Sequence, residues 1–263
     1  MRSTLKRFAV CDGKTIERYL AHLTMSPGEE VVPVGDLLPS PKDGLVELNR
    51  FHKLLSERHK NENNDIVGVQ LHHPSSDVMR MLRATESASW PLFKHDLRPA
   101  GDLIKRIEQR INCVDSGIAL RVEENLTKEL EISSYCPSIV FSGSRYTYFA
   151  PHVTGLAADR NGLVSFSNSN KWTLWDNAVL DSSHVVLRDG EPLRVGSTRQ
   201  AGLTTQKILE LASKCMTSCA GRNLRSGDLI LLAGFHSRLP VSSGGRFSVN
   251  MGPFGGDVFA TLQ

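Results

Sequence analysis

Residues 224–263 read LRSGDLILLAGFHSRLPVSSGGRFSVNMGPFGGDVFATLQ. Three short apolar runs, DLILLAGF, RFSVNM and DVFATL, are separated by Gly- and Pro-containing turns, the pattern of strands joined by tight connections. The same texture appears upstream. IVGVQL at 66–71, Ile118–Val122, Ser138–Phe141 and Leu163–Phe166 read as strands, and VVLRDGEPLRV reads as a hairpin turning at Asp189 and Gly190. Helices interrupt them. Leu45, Leu48, Phe51 or His52, and Leu55 recur at helical spacing, and a longer helix from Leu203 to about Cys219 carries Ile208, Leu211, Ala212 and Cys215 on one side. Shorter helical patterns cover Ile16–Leu23, Val78–Leu82 and Asp102–Ile111. The expected class is α+β, a β-dominated domain with helices packed around it.

Composition bounds the reading. The 263 residues hold 31 Lys and Arg against 28 Asp and Glu, a formal charge of only +3, with 40% apolar and 22% charged residues. These proportions exclude a mostly disordered chain, a collagen-like repeat and a small disulfide scaffold. No apolar run approaches the ~18 residues of a spanning helix, so no membrane span is expected. Five scattered cysteines, Cys11, Cys113, Cys136, Cys215 and Cys219, are an odd count that fits a reducing compartment. The first eleven residues, MRSTLKRFAVC, carry Arg2, Lys6 and Arg7 and no acid. They read either as a short transit-like segment for the mitochondrial matrix or as an ordinary basic N-terminus of a cytoplasmic chain. Pro33, Pro39 and Pro41 break up the region that follows, so residues 1–44 are expected to be an N-terminal extension and 45–263 one domain.

The closing segment resembles that of the fumarylacetoacetate hydrolase superfamily, and more closely its branch of 2-keto-4-pentenoate hydratases and 4-oxalocrotonate decarboxylases. Leu224, Gly227, Asp228, Ile230, Leu231, Gly234, Gly245 and Val258 fall in the order of that family's final strands. Upstream, IVGVQLHHPSSDVMRMLRATESASWPLF is similar to the family's Val-Gly-x-Lys strand, following helix and Leu-Phe-terminated loop. GIALRV is similar to the strand bearing a Glu-x-Glu pair, SIVFSGSRY to the strand ending in Gly-Ser-Arg, and AADR and VGSTRQAG to two further boxes. The resemblance covers about Leu45 to the C-terminus. It implies a β-rich, barrel-like core with packed helices and a site where three carboxylates hold Mg²⁺ or Mn²⁺ over a 2-oxo acid. A lysine and an aspartate assist there.

Transferred onto this chain, the resemblance places Asp115 and Gly117 at the Glu-x-Glu positions and Val140 at the third ligand position. Gln70 falls at the lysine position, Ala88 at the loop aspartate and Trp90 at the loop glycine. A hard divalent cation wants several oxygen ligands, and this set supplies one carboxylate. The leading expectation is therefore a non-catalytic, hydratase-like pseudoenzyme without a metal cofactor, a structural or interaction subunit of a larger assembly. An organellar ribonucleoprotein is a plausible home on the basic pI of 8.6. Protein partners in a homo- or hetero-oligomer are expected, with RNA contact as a further option. Arg145, Trp172 and Trp175 are candidate anion or partner contacts. The rival is a Mg- or Mn-dependent hydratase, decarboxylase or hydrolase of 2-oxo acids whose ligands have moved to Glu123 or Glu124. His72 with His73, and Cys215 with Cys219, read as solvated loop histidines and buried small hydrophobes before they read as metal ligands. Arg222 and Arg225 read as solvated.

Overall fold

In a computed structural model of the chain, the residues described are 44–72, 88–105, 111–143, 160–235 and 239–263, with Glu17 and Ala157. Helix α1 spans Gly44–Lys60. The strands β1 (Ile66–His72), β2 (Ala88–Phe93), β3 (Leu97–Arg98), β4 (Leu103–Ile104), β5 (Cys113–Glu124), β6 (Leu130–Ser142), β7 (Leu163–Asn168), β8 (Thr173–Leu174), β9 (Ser183–Arg188) and β10 (Glu191–Ser197) follow. Helix α2 (Thr205–Ala220) then leads to β11 (Leu229–Ala233), β12 (Leu239–Pro240), β13 (Gly245–Asn250) and β14 (Val258–Leu262). The α+β class read from the sequence is what the chain adopts. No helix among the described residues is long and apolar enough to cross a membrane.

The strands form two sheets. The larger has nine strands in the order β2-β1-β11-β5-β6-β7-β3, with β12 beside β5 and β8 beside β6; the smaller is β10-β9-β13-β14-β4. Helix α2 starts at Thr204, whose hydroxyl caps the Lys207 amide at 3.2 Å, and ends at Gly221 in the left-handed region with φ +63°. Its stripe of Ile208, Leu211, Ala212, Cys215, Met216 and Cys219 packs on Val69, Leu71, Ile118, Leu120, Ile230 and Leu232 of the large sheet. A second core joins the two sheets through Val114, Ile139 and Phe141 on one side and Val186, Phe247, Val249, Val258 and Ala260 on the other. β1 and β11 run parallel, and Gly68 lies against Leu229 in that register. A side chain at Gly68 would overlap Leu229's backbone carbonyl, so only glycine permits the approach.

Two expectations are corrected. The segment from Asp102 does not begin as a helix: Leu103 and Ile104 form β4, paired parallel with Thr261 and Leu262 of β14. Leu103 is 53% exposed and Ile104 1%, the alternation of a half-buried edge strand. Residues 106–110 of that expected helix lie outside the described residues. ASWPLF, read as a loop, is strand β2, antiparallel to β1. Pro91 is tolerated because β2 is an edge strand. The helical patterns at 16–23 and 78–82 and most of the proposed extension also lie outside the described residues. Within that extension, Glu17 is helical and exposed and accepts a hydrogen bond from Arg58 Nε at 3.0 Å.

Candidate functional site

Residues paired in register on neighbouring strands point to the same face of a sheet. One row across the large sheet runs Ala88, His72, Ala233, Gly117, Ser138 and Asn168. A second runs Trp90, Gln70, Leu231, Ala119 and Cys136. A third pairs Asp115, Val140 and Phe166. All three rows lie on the face turned away from α2. Gln70, Ala88, Asp115, Gly117 and Val140, which the sequence scatters over four strands, are thus brought to one face.

The chemistry of that face is largely neutral. Trp90 is fully buried and donates its indole N–H to Gln70 Oε1 at 3.1 Å. The His72 ring lies 5.7 Å from the Trp90 ring. Asp115, 4% exposed, accepts the Ser116 amide at 2.8 Å. Ser138 donates to Asn168 Oδ1 at 2.7 Å. Val140 is packed with Leu92, Leu163, Phe166, Leu231 and Ala233. A Cβ at Gly117 would lie 2.9 Å from the Leu232 carbonyl oxygen, 3.0 Å from Leu231 Cδ1 and 3.4 Å from Val140 Cγ2. Apolar packing therefore occupies the direction a side chain would take. Among the described residues, a hard cation at this place would meet one carboxylate among amide, imidazole, hydroxyl and hydrocarbon groups. That donor set does not fit Mg²⁺ or Mn²⁺. Among the described residues, no three His, Cys, Asp or Glu side chains converge to hold a metal ion.

The remaining sequence candidates are placed as follows. Glu123 and Glu124 are exposed at the far end of the β5–β6 hairpin, paired with Glu131 and Leu130. Eight residues of strand, roughly 27 Å at ~3.4 Å each, separate Glu123 from Asp115, so the relocated ligand set is not assembled. Cys215 and Cys219 sit in the core beneath α2. The Cys219 thiol is pushed up by its hydrogen bond with Cys215 and by burial. Burial likewise holds the Cys136 thiol up at about 12, so the Cys219 and Cys136 sulfurs stay protonated and inert. Trp172 and Trp175 are half-buried, not free. Arg121 stacks 4.2 Å above Trp172, and Trp175 meets Tyr135 edge-on at 6.0 Å. Arg222 is only partly solvated: it grips buried Asp228 through two bonds of 2.7 and 2.8 Å, while the Arg225 amide donates to the same carboxylate at 2.9 Å. That clamp closes the turn into β11. Arg145 and His73 lie outside the described residues.

Sequence reasoning missed a buried polar knot beside this face. Arg160 and Asp96, both nearly inaccessible, form an ion pair at 2.6 Å, and Asp96 also accepts the Phe93 amide at 2.7 Å. His52 hydrogen-bonds the Ala157 carbonyl at 3.0 Å, and the His59 ring stacks 4.2 Å from Phe93. Burial first, and the Arg160 charge after it, lower both histidines to about 4. Both are neutral near pH 7. The knot ties α1 to β2 and to the turn before β7. The sequence signal for it is the AADR box, which ends in Arg160.

No family model matches the chain. The fold is nevertheless that of the fumarylacetoacetate hydrolase family. The chain is similar over 100% of both lengths to 4-oxalocrotonate decarboxylase from Pseudomonas putida G7 complexed with magnesium and adipate, with a TM-score of 0.76 at 17% identity. The same enzyme complexed with calcium and acetate gives 0.75. Fumarylacetoacetate hydrolase from psychrophilic Exiguobacterium antarcticum gives 0.51 at 12% identity over 76% of each chain. In sequence, the chain is 29% identical over 249 residues to REH2-associated factor 2 of Trypanosoma brucei brucei (strain 927/4 GUTat10.1), covering 91% of each.

Proposed function

We propose that this chain is a non-catalytic, hydratase-like subunit that uses the fumarylacetoacetate hydrolase fold as a scaffold within a larger protein assembly. The observation that carries the reading is the set Asp115, Gly117 and Val140, brought to one face of the sheet. One carboxylate faces a packed apolar wall where the resemblance calls for three, and the lysine and aspartate positions hold Gln70 bonded to Trp90 and the side chain of Ala88. With neither a cation site nor a titrating acid and base at those positions, proton transfer on a 2-oxo acid has no agent there. The name of the trypanosomal relative, a factor associated with REH2, supports the assembly role. An organellar ribonucleoprotein in the mitochondrial matrix is the proposed setting, on the basic pI of 8.6 and the acid-free first eleven residues.

The experiment is isolation of the native protein through a C-terminal tag, with mass spectrometry of what accompanies it and ultraviolet crosslinking to RNA. Stable protein partners, an REH2-like protein among them, are the expected result. A chain that purifies alone from mitochondria and cytosol, and turns over a 2-oxo acid with Mg²⁺ or Mn²⁺, would overturn the reading and restore the enzyme.

A further inference from the structure

The other face of β7 carries polar groups that the scaffold does not need. Ser165 and Ser167 are each 0% exposed, and neither hydroxyl has a hydrogen-bond partner. They pair in register with Phe141 and Ile139 of β6, two residues of the core between the sheets, so both hydroxyls enter that layer. Ser167 is also the register partner of Arg98 on β3. The arginine therefore leaves its strand on the side of the two serines. Arg98 is half-buried, and its Nε is buried without a hydrogen-bond partner.

A buried hydroxyl with no partner is destabilising. Two of them, two residues apart on one strand and beside an arginine whose Nε is equally unmatched, form a pattern and not an isolated defect. The chemistry defines the complement. A guanidinium only donates, and a hydroxyl can donate. Their register partners, Phe141 and Ile139, bring no side-chain acceptor. What satisfies all three is a small group made only of acceptors and carrying negative charge. Entry is from the sheet margin, because β3 is an edge strand of two residues and Arg98 itself is only half-buried.

We infer that Arg98, Ser165 and Ser167 form a binding site for a small oxyanion of the phosphate or carboxylate type, between the sheets and on the opposite face from Gln70, Asp115 and Val140. The site stands independently of the scaffold reading.

The test is thermal melting and isothermal titration of the full chain with inorganic phosphate and with acetate, at ionic strength matched by chloride. The unmodified protein is compared with Arg98→Met and with the double variant Ser165→Ala, Ser167→Ala. The expected result is saturable stabilisation by at least one anion, weakened roughly ten- to hundredfold by Arg98→Met. The serine variant should melt higher than the unmodified chain in chloride alone and lose the anion response. Phosphate acting without acetate assigns a phosphate-type ligand; the reverse assigns a carboxylate. A response to neither anion, or one that survives both variants, overturns the site. A serine variant that melts lower in chloride does so too, since the hydroxyls would then be bonded within the protein.

Discussion

Rebuilding three carboxylates on the sheet, with Gly117→Glu and Val140→Glu, tests the scaffold reading most directly. Among the described residues of the unmodified protein the row facing Val140 offers one carboxylate, Asp115, so millimolar Mn²⁺ or Mg²⁺ should leave the melting temperature within about 1 °C of the metal-free value. A ligand present at a hundredfold excess over its dissociation constant contributes about 2.7 kcal/mol. For a domain of this size that is roughly 5–11 °C, well outside such a margin. The double variant carries its own cost. A Cβ at position 117 meets the Leu232 carbonyl at 2.9 Å and Leu231 Cδ1 at 3.0 Å, and Val140 is 4% exposed among Leu92, Phe166 and Leu231. Two acids placed there are unpaired unless a cation joins them, and each buried unpaired group costs on the order of 2 kcal/mol or more. The variant should therefore melt many degrees lower without metal, and Mn²⁺ should recover part of that loss. Differential scanning calorimetry with and without 5 mM MnCl₂ (about a hundredfold over a mid-micromolar dissociation constant) reads both quantities. A metal-dependent rise of several degrees in the unmodified protein, abolished by Asp115→Asn, would refute the reasoning.

Three further outcomes follow from the packing. His52 and His59 are lowered from 6.5 to about 4 by burial, so the unfolded state binds more protons. Their contribution is complete above about pH 6.5 and is lost as pH falls toward 4. Urea melts should show stability dropping by about 2 kcal/mol per histidine between pH 7 and pH 5, and a flat profile would refute the assignment. Gly68→Ala should cost more than about 3 kcal/mol, because a side chain there overlaps the Leu229 carbonyl across the β1–β11 pairing; an unchanged denaturation midpoint would contradict the register. Asp228→Ala removes the acceptor for two Arg222 bonds and the Arg225 amide. With Arg222 26% exposed, the loss should be about 2 kcal/mol, and Arg222→Met should lose more, because it leaves the 4%-exposed Asp228 carboxylate buried with only the Arg225 amide as a donor.

The candidate face was half legible. The residue types at its five positions could be read from a linear match, since GIALRV, SIVFSGSRY and IVGVQL sit in strands whose ends the pattern marks. Their convergence could not, because it depends on β1 running parallel to β11 and β11 antiparallel to β5. Strand partners chosen across more than a hundred residues leave no trace in local periodicity. The environment was hidden for the same reason. Trp90 could be read as filling a former glycine position, but its bond to Gln70 depends on the β1–β2 register.

What the chain determines locally is therefore clear. The apolar stripe of α2, capped by Thr204 and stopped at Gly221, follows from side chains within a few turns of one another. So does the β9–β10 hairpin, where Asp189 and Gly190 adopt φ of +52° and +90°. These elements are set by interactions between sequence neighbours, which one-dimensional reading captures. Tertiary structure alone decided the rest. LIKRI at 103–107 has helical spacing, yet burying Ile104 between the sheets beside Leu262 made Leu103 and Ile104 a strand. Arg160 looks like any surface arginine, yet Asp96, sixty-four residues away, makes it a core residue. Arg222 looks solvated, yet it is held by Asp228, 4% exposed, across the turn into β11. In each case a partner distant in sequence or brought back by a turn replaces water. A free energy that depends on that exchange is settled only when the chain closes on itself.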